Sequence, residues 1–337
     1  MKKLLIFVVV ALLLAGCGTQ AVTPTAAPEI KESIPEETIT TTVEETTTEA
    51  TIPPVAGVEG ETLYNEDQFA LVFQGLSKAQ LPEKATKKEK AAFKEGQVMT
   101  MTAVNKTDMT VYMRIMNLSV NSYMFETLPT VVLNPGEQRQ IQYTLTDEEL
   151  AYNGITEIRD LQFNLWVYDS EDFQTPDVAE GLCVYYVNQK EPVYPVRTAL
   201  ETDQVLVENE RYCVTVTAVT VGETIELELH LQNFSGKELL FIAPYATLNE
   251  QIADPLWAYN VSAGKQRNTK ITFGAEQLKE LKAEEITELL LAVQIGDHQD
   301  WSAGAYFYKA FYIKLQAEEP EEELPTEEQE TTAPETT

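Results

Sequence analysis

The fold is decided by the stretch QVMTMTAVN, residues Gln97–Asn105, together with its counterpart IELELHLQN, residues Ile225–Asn233. In both stretches apolar residues recur at every second position, separated mainly by threonine or charged residues. This period of two is typical of a β-strand with one buried face. The same shift of 128 residues aligns Gln97–Val187 with Ile225–Leu315 without a gap. The sequence therefore predicts two copies of one β-rich domain.

Several asparagine and glycine residues keep their place in both copies. These residue types are common where a chain turns, because they tolerate unusual backbone angles or bond to their own backbone. We therefore expect these positions to be turns between strands. The matched pairs are Asn105 with Asn233, Asn121 with Asn249, and Gly136 with Gly264.

The region Ala275–Ile295 looks helical by itself, because glutamate, leucine, lysine and alanine dominate it. Its counterpart in the first copy disagrees, since apolar and polar residues alternate along Glu157–Val167 as they do in a strand. We therefore expect a short helix of about two turns followed by a strand. In the first copy, Thr146 and Glu149 predict a capping box at the start of that helix.

Each copy also has an opening strand, predicted at Gln68–Leu76 and at Tyr212–Val219. The first copy then carries a lysine-rich insertion, Lys78–Lys94, which we expect to be a loop or a short helix with a solvated face. Short strands separated by turn signals, in units of about 110 to 130 residues, favour an immunoglobulin-like sandwich. The predicted fold class is all-β: two tandem immunoglobulin-like β-sandwich domains, each with one short helix, flanked by disordered acidic segments.

The two flanks of the folded part have the composition of disordered chain. They are rich in threonine, glutamate and proline and lack the apolar residues that would offset the entropy of ordering. The whole chain has a net charge of −30 at pH 7, and an acidic surface is repelled by phosphate, so nucleic acid is not an expected partner. The predicted boundaries are signal peptide 1–17, tether 18–61, first domain 62–190, linker 191–203, second domain 204–316 and tail 317–337.

The N-terminus has the features of an export signal. Two lysines precede the apolar run Leu4–Leu14, which is too short to span a bilayer, and the small residues Ala15 and Gly16 stand before Cys17. Leu14 to Cys17 resembles the bacterial lipobox, which implies that Cys17 is acylated and becomes the new N-terminus. A free thiol in an ordinary signal peptide is the alternative. We expect a lipid anchor in the membrane, through Cys17, on the extracellular face of the cell.

The complete arrangement resembles the tandem β-sandwich lipoproteins of Gram-positive, clostridia-like bacteria. In that group a lipobox and a Thr/Glu-rich spacer precede repeated domains of uncertain role. The domain resemblance covers about Thr62–Gln316, on general features such as the asparagine-rich turns and the glycines at Gly136 and Gly264. It implies a location and a shape, and it transfers no functional residue.

A search for catalytic patterns favours a protein that is not an enzyme. The chain has only two histidines, His230 and His298, and it contains no HExxH zinc pattern, GxSxG elbow or P-loop. His230 lies at a polar position of an alternating strand, so we expect a solvated side chain. No cofactor is expected, apart from a possible calcium ion.

Acidic residues follow the penultimate predicted strand in both copies. Clustered carboxylates on a loop can bind Ca²⁺, which takes six to eight oxygen ligands. The competing interpretation is that aspartate caps a turn through its own backbone, and two or three carboxylates do not complete a calcium shell. The candidate metal ligands are Asp169 and Asp172 in the first copy and Asp297 and Asp300 in the second.

Aromatic residues of the second copy are candidates for a binding face. Trp257, Tyr259 and Trp301 could stack on sugar rings or anchor a protein partner. Packing in the hydrophobic core is the alternative for each of them.

Two cysteines remain after Cys17, and they lie near the end of one copy and the start of the next. An exported protein can form a disulfide between Cys183 and Cys213. Both also lie in strand patterns where a small apolar side chain is useful, which favours free buried thiols.

The sequence thus favours a lipid-anchored cell-surface protein that presents two β-sandwich modules. Its expected role is non-enzymatic adhesion or accessory binding to a protein or glycan. The alternative is a cell-envelope glycan hydrolase that uses paired carboxylates. The oligomeric state stays open.

Overall fold

A computed structural model describes residues 52–315, apart from residues 174, 195, 196, 198 and 282–284. The signal peptide, Cys17, most of the tether and the acidic tail lie outside the described residues. All described residues belong to one compact unit. Within these residues the chain is mostly β-strand with a few short helices, and no helix there has the length and apolar character needed to cross a membrane.

The elements fall into two halves of similar order. The first half contains β1 (Glu61–Asn65), β2 (Phe69–Lys78), α1 (Lys87–Ala92), β3 (Gly96–Asn105), β4 (Val111–Val120), β5 (Tyr123–Met124), β6 (Val131–Leu133), β7 (Gln138–Thr146), α2 (Asp147–Tyr152), β8 (Asp160–Tyr168) and β9 (Ala179–Tyr186). The second half contains β10 (Gln204–Glu208), β11 (Tyr212–Val221), β12 (Ile225–Asn233), β13 (Leu239–Ala243), β14 (Ala246–Leu248), β15 (Gln251–Ala253), β16 (Trp257–Val261), β17 (Gln266–Phe273), α3 (Ala275–Glu280), β18 (Leu289–Asp297), a 3₁₀ turn (Trp301–Ala303) and β19 (Ala305–Ile313).

The strands form three sheets whose pairings repeat between the halves. The four-stranded sheet has the order β1-β2-β3-β7, and the equivalent strands of the second half pair as β10-β11-β12-β17. The opposite layer pairs β4-β8-β9 in the first half and β13-β18-β19 in the second. The fold class is therefore an all-β sandwich, as predicted, with sheets packed face to face.

The helix-and-strand prediction is confirmed in both halves. Helix α3 ends at Glu280 and β18 begins at Leu289, so the Glu/Leu-rich region is not one long helix. Helix α2 begins after Thr146, whose Oγ1 accepts a hydrogen bond from the backbone NH of Glu149 at 3.1 Å. The lysine-rich insertion contains the short exposed helix α1. The alignment of the two copies was therefore a better guide here than helix propensity.

Two separate clusters of buried apolar residues lie between the layers. The first cluster draws on strands β1 to β9, with Phe69, Met101 and Phe163 among its large members. The second draws on strands β11 to β19, with Phe241 among its fully buried residues. Met124 is the exception, because it comes from β5 of the first half and packs in the second cluster.

The halves meet where β5 joins the edge of β17. The two strands pair in parallel at Tyr123 and Gln266, and the backbone NH of Gln266 donates to Ser122 O at 3.0 Å. Beside this pair, the buried guanidinium of Arg267 forms an ion pair with Glu126 at 2.6 Å. Strand β5 thereby links the sheet β10-β11-β12-β17 to the sheet β4-β8-β9, and with β6, which pairs with β4, they form one nine-stranded sheet.

Candidate functional site

A cleft of about 640 Å³ opens between the outer face of β4-β8-β9 and the loops of the second half. Its lining combines one indole, the apolar side chains of Met116 and Leu182, four amides, two carboxylates and one imidazole. Clefts of this size with a few convergent polar groups are where ligands usually bind. The lining includes Asn117, Trp166, Glu180, Leu182, Glu238 and His298.

Strand alternation places Trp166 in this cleft. Along β8 the side chains of Leu165 and Val167 are buried in the first core cluster, so Asn164 and Trp166 point to the opposite face. Trp166 is half-buried, and Leu182 on the neighbouring strand β9 is 58% exposed. An accessible apolar surface therefore lies among the polar groups of the cleft.

Asn117 connects the two halves in the wall of the cleft. The register of β4 shifts between Met116 and Ser119, and Asn117 has a positive φ of 55°, which marks a bulge. Its Nδ2 donates to Glu238 Oε2 at 3.0 Å, and its Oδ1 accepts from Asn260 Nδ2 at 2.9 Å. Nε2 of His298 lies 3.5 Å from Glu238 Oε1. The second half thus fixes the polar wall beside the Trp166 face.

Trp257 does not lie on the surface, and its predicted ligand-facing position is wrong. The side chain is 4% exposed and belongs to the second core cluster. Its Nε1 donates to Thr269 Oγ1 at 3.3 Å, which satisfies the indole NH inside the protein. Tyr259 is half-buried, with the Arg267 guanidinium 4.4 Å from its ring centre.

Trp301 is the exposed aromatic residue among the sequence candidates. It is 38% exposed on the 3₁₀ turn. Its ring covers Gly296 so closely that a Cβ there would lie 2.7 Å from Cζ3. Gly296 is therefore needed for this packing, and part of Trp301 stays accessible.

The predicted metal ligands of the second half act as turn and ion-pair groups. Asp297 Oδ2 lies 2.8 Å from Lys237 Nζ, and its Oδ1 accepts hydrogen bonds from the backbone NH groups of Gln299 and Asp300. The bond from Lys237 and these backbone bonds lower the pKa of Asp297 to about 2. Asp300 accepts from Ser302 Oγ at 2.6 Å.

The equivalent loop of the first half is bonded differently. The backbone NH of Asp169 donates to Asp177 Oδ1 at 3.0 Å, and Ser170 Oγ donates to Asp172 Oδ1 at 2.9 Å. The neighbouring carboxyl of Asp177 raises the pKa of Asp169. No group of three metal-ligating side chains occurs among the described residues. Calcium binding by these two loops stays a prediction from the sequence.

Both remaining cysteines are buried free thiols, Cys183 in the first core cluster and Cys213 on the opposite face of β11 from the second. Cys183 and Cys213 are buried and unpaired with each other. Burial raises the pKa of Cys183 to about 12, and it also raises the pKa of Cys213. Both thiols therefore stay protonated and unreactive in the folded protein.

His230 is buried, so the expectation of a solvated histidine is wrong. It lies on the outer face of β12 as the alternation indicates, but the joint between the halves covers that face and leaves the ring 1% exposed. Its Nδ1 lies 2.7 Å from Asn268 Oδ1, while Asn268 Nδ2 donates to Tyr152 O at 3.1 Å. Nδ1 therefore carries the proton, and within the described part of the chain the buried Nε2 has no hydrogen-bond partner.

This burial predicts an acid-sensitive fold. Desolvation lowers the pKa of His230 below its usual 6.5, the Arg197 charge lowers it further, and the bond to Asn268 and the Asp203 carboxylate oppose the shift. Below about pH 6.5 the unfolded chain therefore takes up a proton that the folded chain does not. The stability contributed by the neutral ring is complete above that pH and is lost as the pH falls toward the folded-state pKa.

The measurement is the melting temperature as a function of pH. His230→Asn retains an amide NH near the Nδ1 position and should flatten the decline below pH 6.5. His298→Asn is the matched control, because it removes the only other histidine and leaves the joint unchanged. Equal acid sensitivity in the wild type and His230→Asn would show that His230 is not the titrating group.

Comparison with known proteins adds no functional information. No protein family and no curated protein matches this sequence. Among solved structures, red sea bream transglutaminase is similar at 11% identity over 65% of this chain and 29% of that chain, with a TM-score of 0.17. The chain thus spans less than a third of that protein. A likeness this weak carries no argument about activity.

Proposed function

We propose that this chain is a lipid-anchored cell-surface protein that binds a glycan without changing it chemically. The export signal and Cys17 support the anchor, and the segment 18–61 supports a tether that holds the folded part away from the membrane. The repeated strand pairings and the two core clusters support two tandem immunoglobulin-like modules. The resemblance to bacterial tandem β-sandwich lipoproteins supports a location on the extracellular face of the membrane.

The observation that carries the binding role is the position of Trp166 in the cleft. A half-buried indole presents a flat apolar face, and Asn164 lies on the same face of the sheet. Sugar rings combine an apolar face with hydroxyl groups, which suits an aromatic ring surrounded by amides and carboxylates. A protein partner would instead favour a larger continuous apolar patch. The cleft therefore fits a glycan chain better.

A glycan array probed with the full chain in detergent tests this role. Trp166→Ala should weaken binding by about tenfold or more, because stacking on the ring is lost. Trp301→Ala is the matched control, since it removes an accessible indole that does not line the cleft. Unchanged binding by Trp166→Ala, or loss of binding only in Trp301→Ala, would show that the glycan does not bind in the cleft.

The alternative is the glycan hydrolase, and one observation favours it. Glu180 and Glu238 line the same cleft, and hydrolysis of a glycoside uses two carboxyl groups. Both oxygens of Glu238 already accept hydrogen bonds from asparagine side chains, which suits a fixed acceptor better than a proton donor. Incubating the bound glycan with the protein and analysing products by mass spectrometry separates the two functions. Products that disappear in Glu238→Gln would establish hydrolysis.

A further inference from the structure

The joint between the halves buries one apolar side chain of the first half. Met124 on β5 is 3% exposed and packs in the second core cluster. It is positioned by a two-residue hairpin turn in which Asn121 and Ser122 both have positive φ. The joint therefore consists of an apolar side chain on a short strand that is added to the edge of β17.

The second half repeats this feature and leaves it uncovered. Asn249 and Glu250 form the same turn with positive φ at both residues, and it leads into β15. Ile252 on β15 is the counterpart of Met124, and it is 76% exposed. In the described chain β15 pairs only with β14 and forms the edge of its sheet. A β-edge with an exposed isoleucine is a surface suited to another strand.

The complementary surface is uncovered in the first half. Strand β7 is the counterpart of β17, and among the described strands it pairs only with β3. Its first residues, Gln138 and Arg139, are exposed, whereas their counterparts Gln266 and Arg267 are covered by the joint. The first half therefore offers the type of edge on which β5 docks within the chain.

The charges at the two free surfaces are also complementary. Within the joint, Arg267 pairs with Glu126 at 2.6 Å. The counterpart of Arg267 is Arg139 on the β7 edge, where the guanidinium lies 2.6 Å from Glu137 Oε1 and stays partly exposed, and the counterpart of Glu126 is Asp254 beside β15. A docked second copy would again bring a guanidinium to a carboxylate.

We propose that copies of this chain associate head to tail, with β15 of one copy along β7 of the next. The contact repeats the joint already present between the two halves, with Ile252 in the place of Met124. The two surfaces are different, so a pair of copies leaves one free surface at each end and growth continues into open chains or rings. This inference rests on the fold and is independent of the proposed glycan binding.

Sedimentation equilibrium of the full chain in density-matched detergent tests the proposal. The wild type should increase in mean mass with concentration beyond the mass of a dimer. Ile252→Glu places a charge on the β15 surface, and Arg139→Glu reverses the charge on the β7 surface, so each variant alone should stay monomeric. Both side chains are exposed, so neither change disturbs the core. Val193→Glu, at a residue that is 90% exposed, is the control and should associate like the wild type.

Mixing the two variants gives the decisive result. The Arg139→Glu chain retains Ile252, and the Ile252→Glu chain retains Arg139, so one intact surface of each kind is present. An equimolar mixture should form dimers and nothing larger. A wild type that stays monomeric, a wild type that stops at dimers, or an Ile252→Glu variant that associates normally would each overturn the proposal.

Discussion

Replacing Trp257 with alanine is expected to lower the free energy of unfolding by about 3–5 kcal/mol. The indole is almost fully buried, and Tyr259 packs edge-on against it with ring centres 5.8 Å apart. Removing it leaves a cavity in the second core cluster and an unpaired hydroxyl at Thr269. Chemical denaturation followed by circular dichroism measures the loss.

Trp257→Phe is the matched variant for this prediction. It keeps a six-membered aromatic ring at the site but removes the bond to Thr269 and the volume of the second ring, so we expect it to cost about 1–2 kcal/mol, less than Trp257→Ala. A loss below 1 kcal/mol in Trp257→Ala would mean that the indole contributes little to the core. Such a result would restore Trp257 as a candidate for ligand binding.

The alignment of the two copies predicted the architecture well because turns and strand faces depend on local sequence. The alternation at Gln97–Asn105 and Ile225–Asn233 predicted two strands. The structure has them as β3 and β12, which begin at or next to the expected residues. Gly136 and Gly264 both have positive φ, of 63° and 68°, as the turns require. The repeat also predicted that the helix at Ala275 is short, because the strand pattern of the first copy was expected at the same place in the second.

The candidate site could not be found in the same way. Alternation shows which side chains leave the core, but it does not show what covers the outer face. His230 and Trp166 both point outward; the joint buries the first, while the second lines an open cleft. The cleft also joins Trp166 to His298, and no local pattern connects residues so far apart in the chain. For Trp257 the sequence left the surface and the core both open, because its strand, β16, has only five residues in which to show an alternation.

Replacing Asn233 with alanine is expected to lower the free energy of unfolding by about 2–4 kcal/mol. Asn233 is 1% exposed, and its Nδ2 donates to Lys237 O at 2.7 Å and to Val261 O at 2.8 Å. Its Oδ1 accepts from the backbone NH of Ser235 at 2.9 Å and from Ser235 Oγ at 2.6 Å. Alanine removes all four bonds and leaves the buried Val261 carbonyl without this donor.

Asn105 is the counterpart of Asn233 in the first half, and replacing it tests the same set of hydrogen bonds. Asn105 donates to Met109 O at 2.7 Å and accepts from Thr107 N at 3.0 Å and Thr107 Oγ1 at 2.7 Å, so Asn105→Ala should cost a similar amount. Because the two sites share no partners, the losses should add in the double variant to within about 0.5 kcal/mol. Ser235→Ala, which removes only the hydroxyl bonds, should cost less than either. Losses below about 1 kcal/mol at both asparagines would show that their hydrogen bonds do not stabilise the fold.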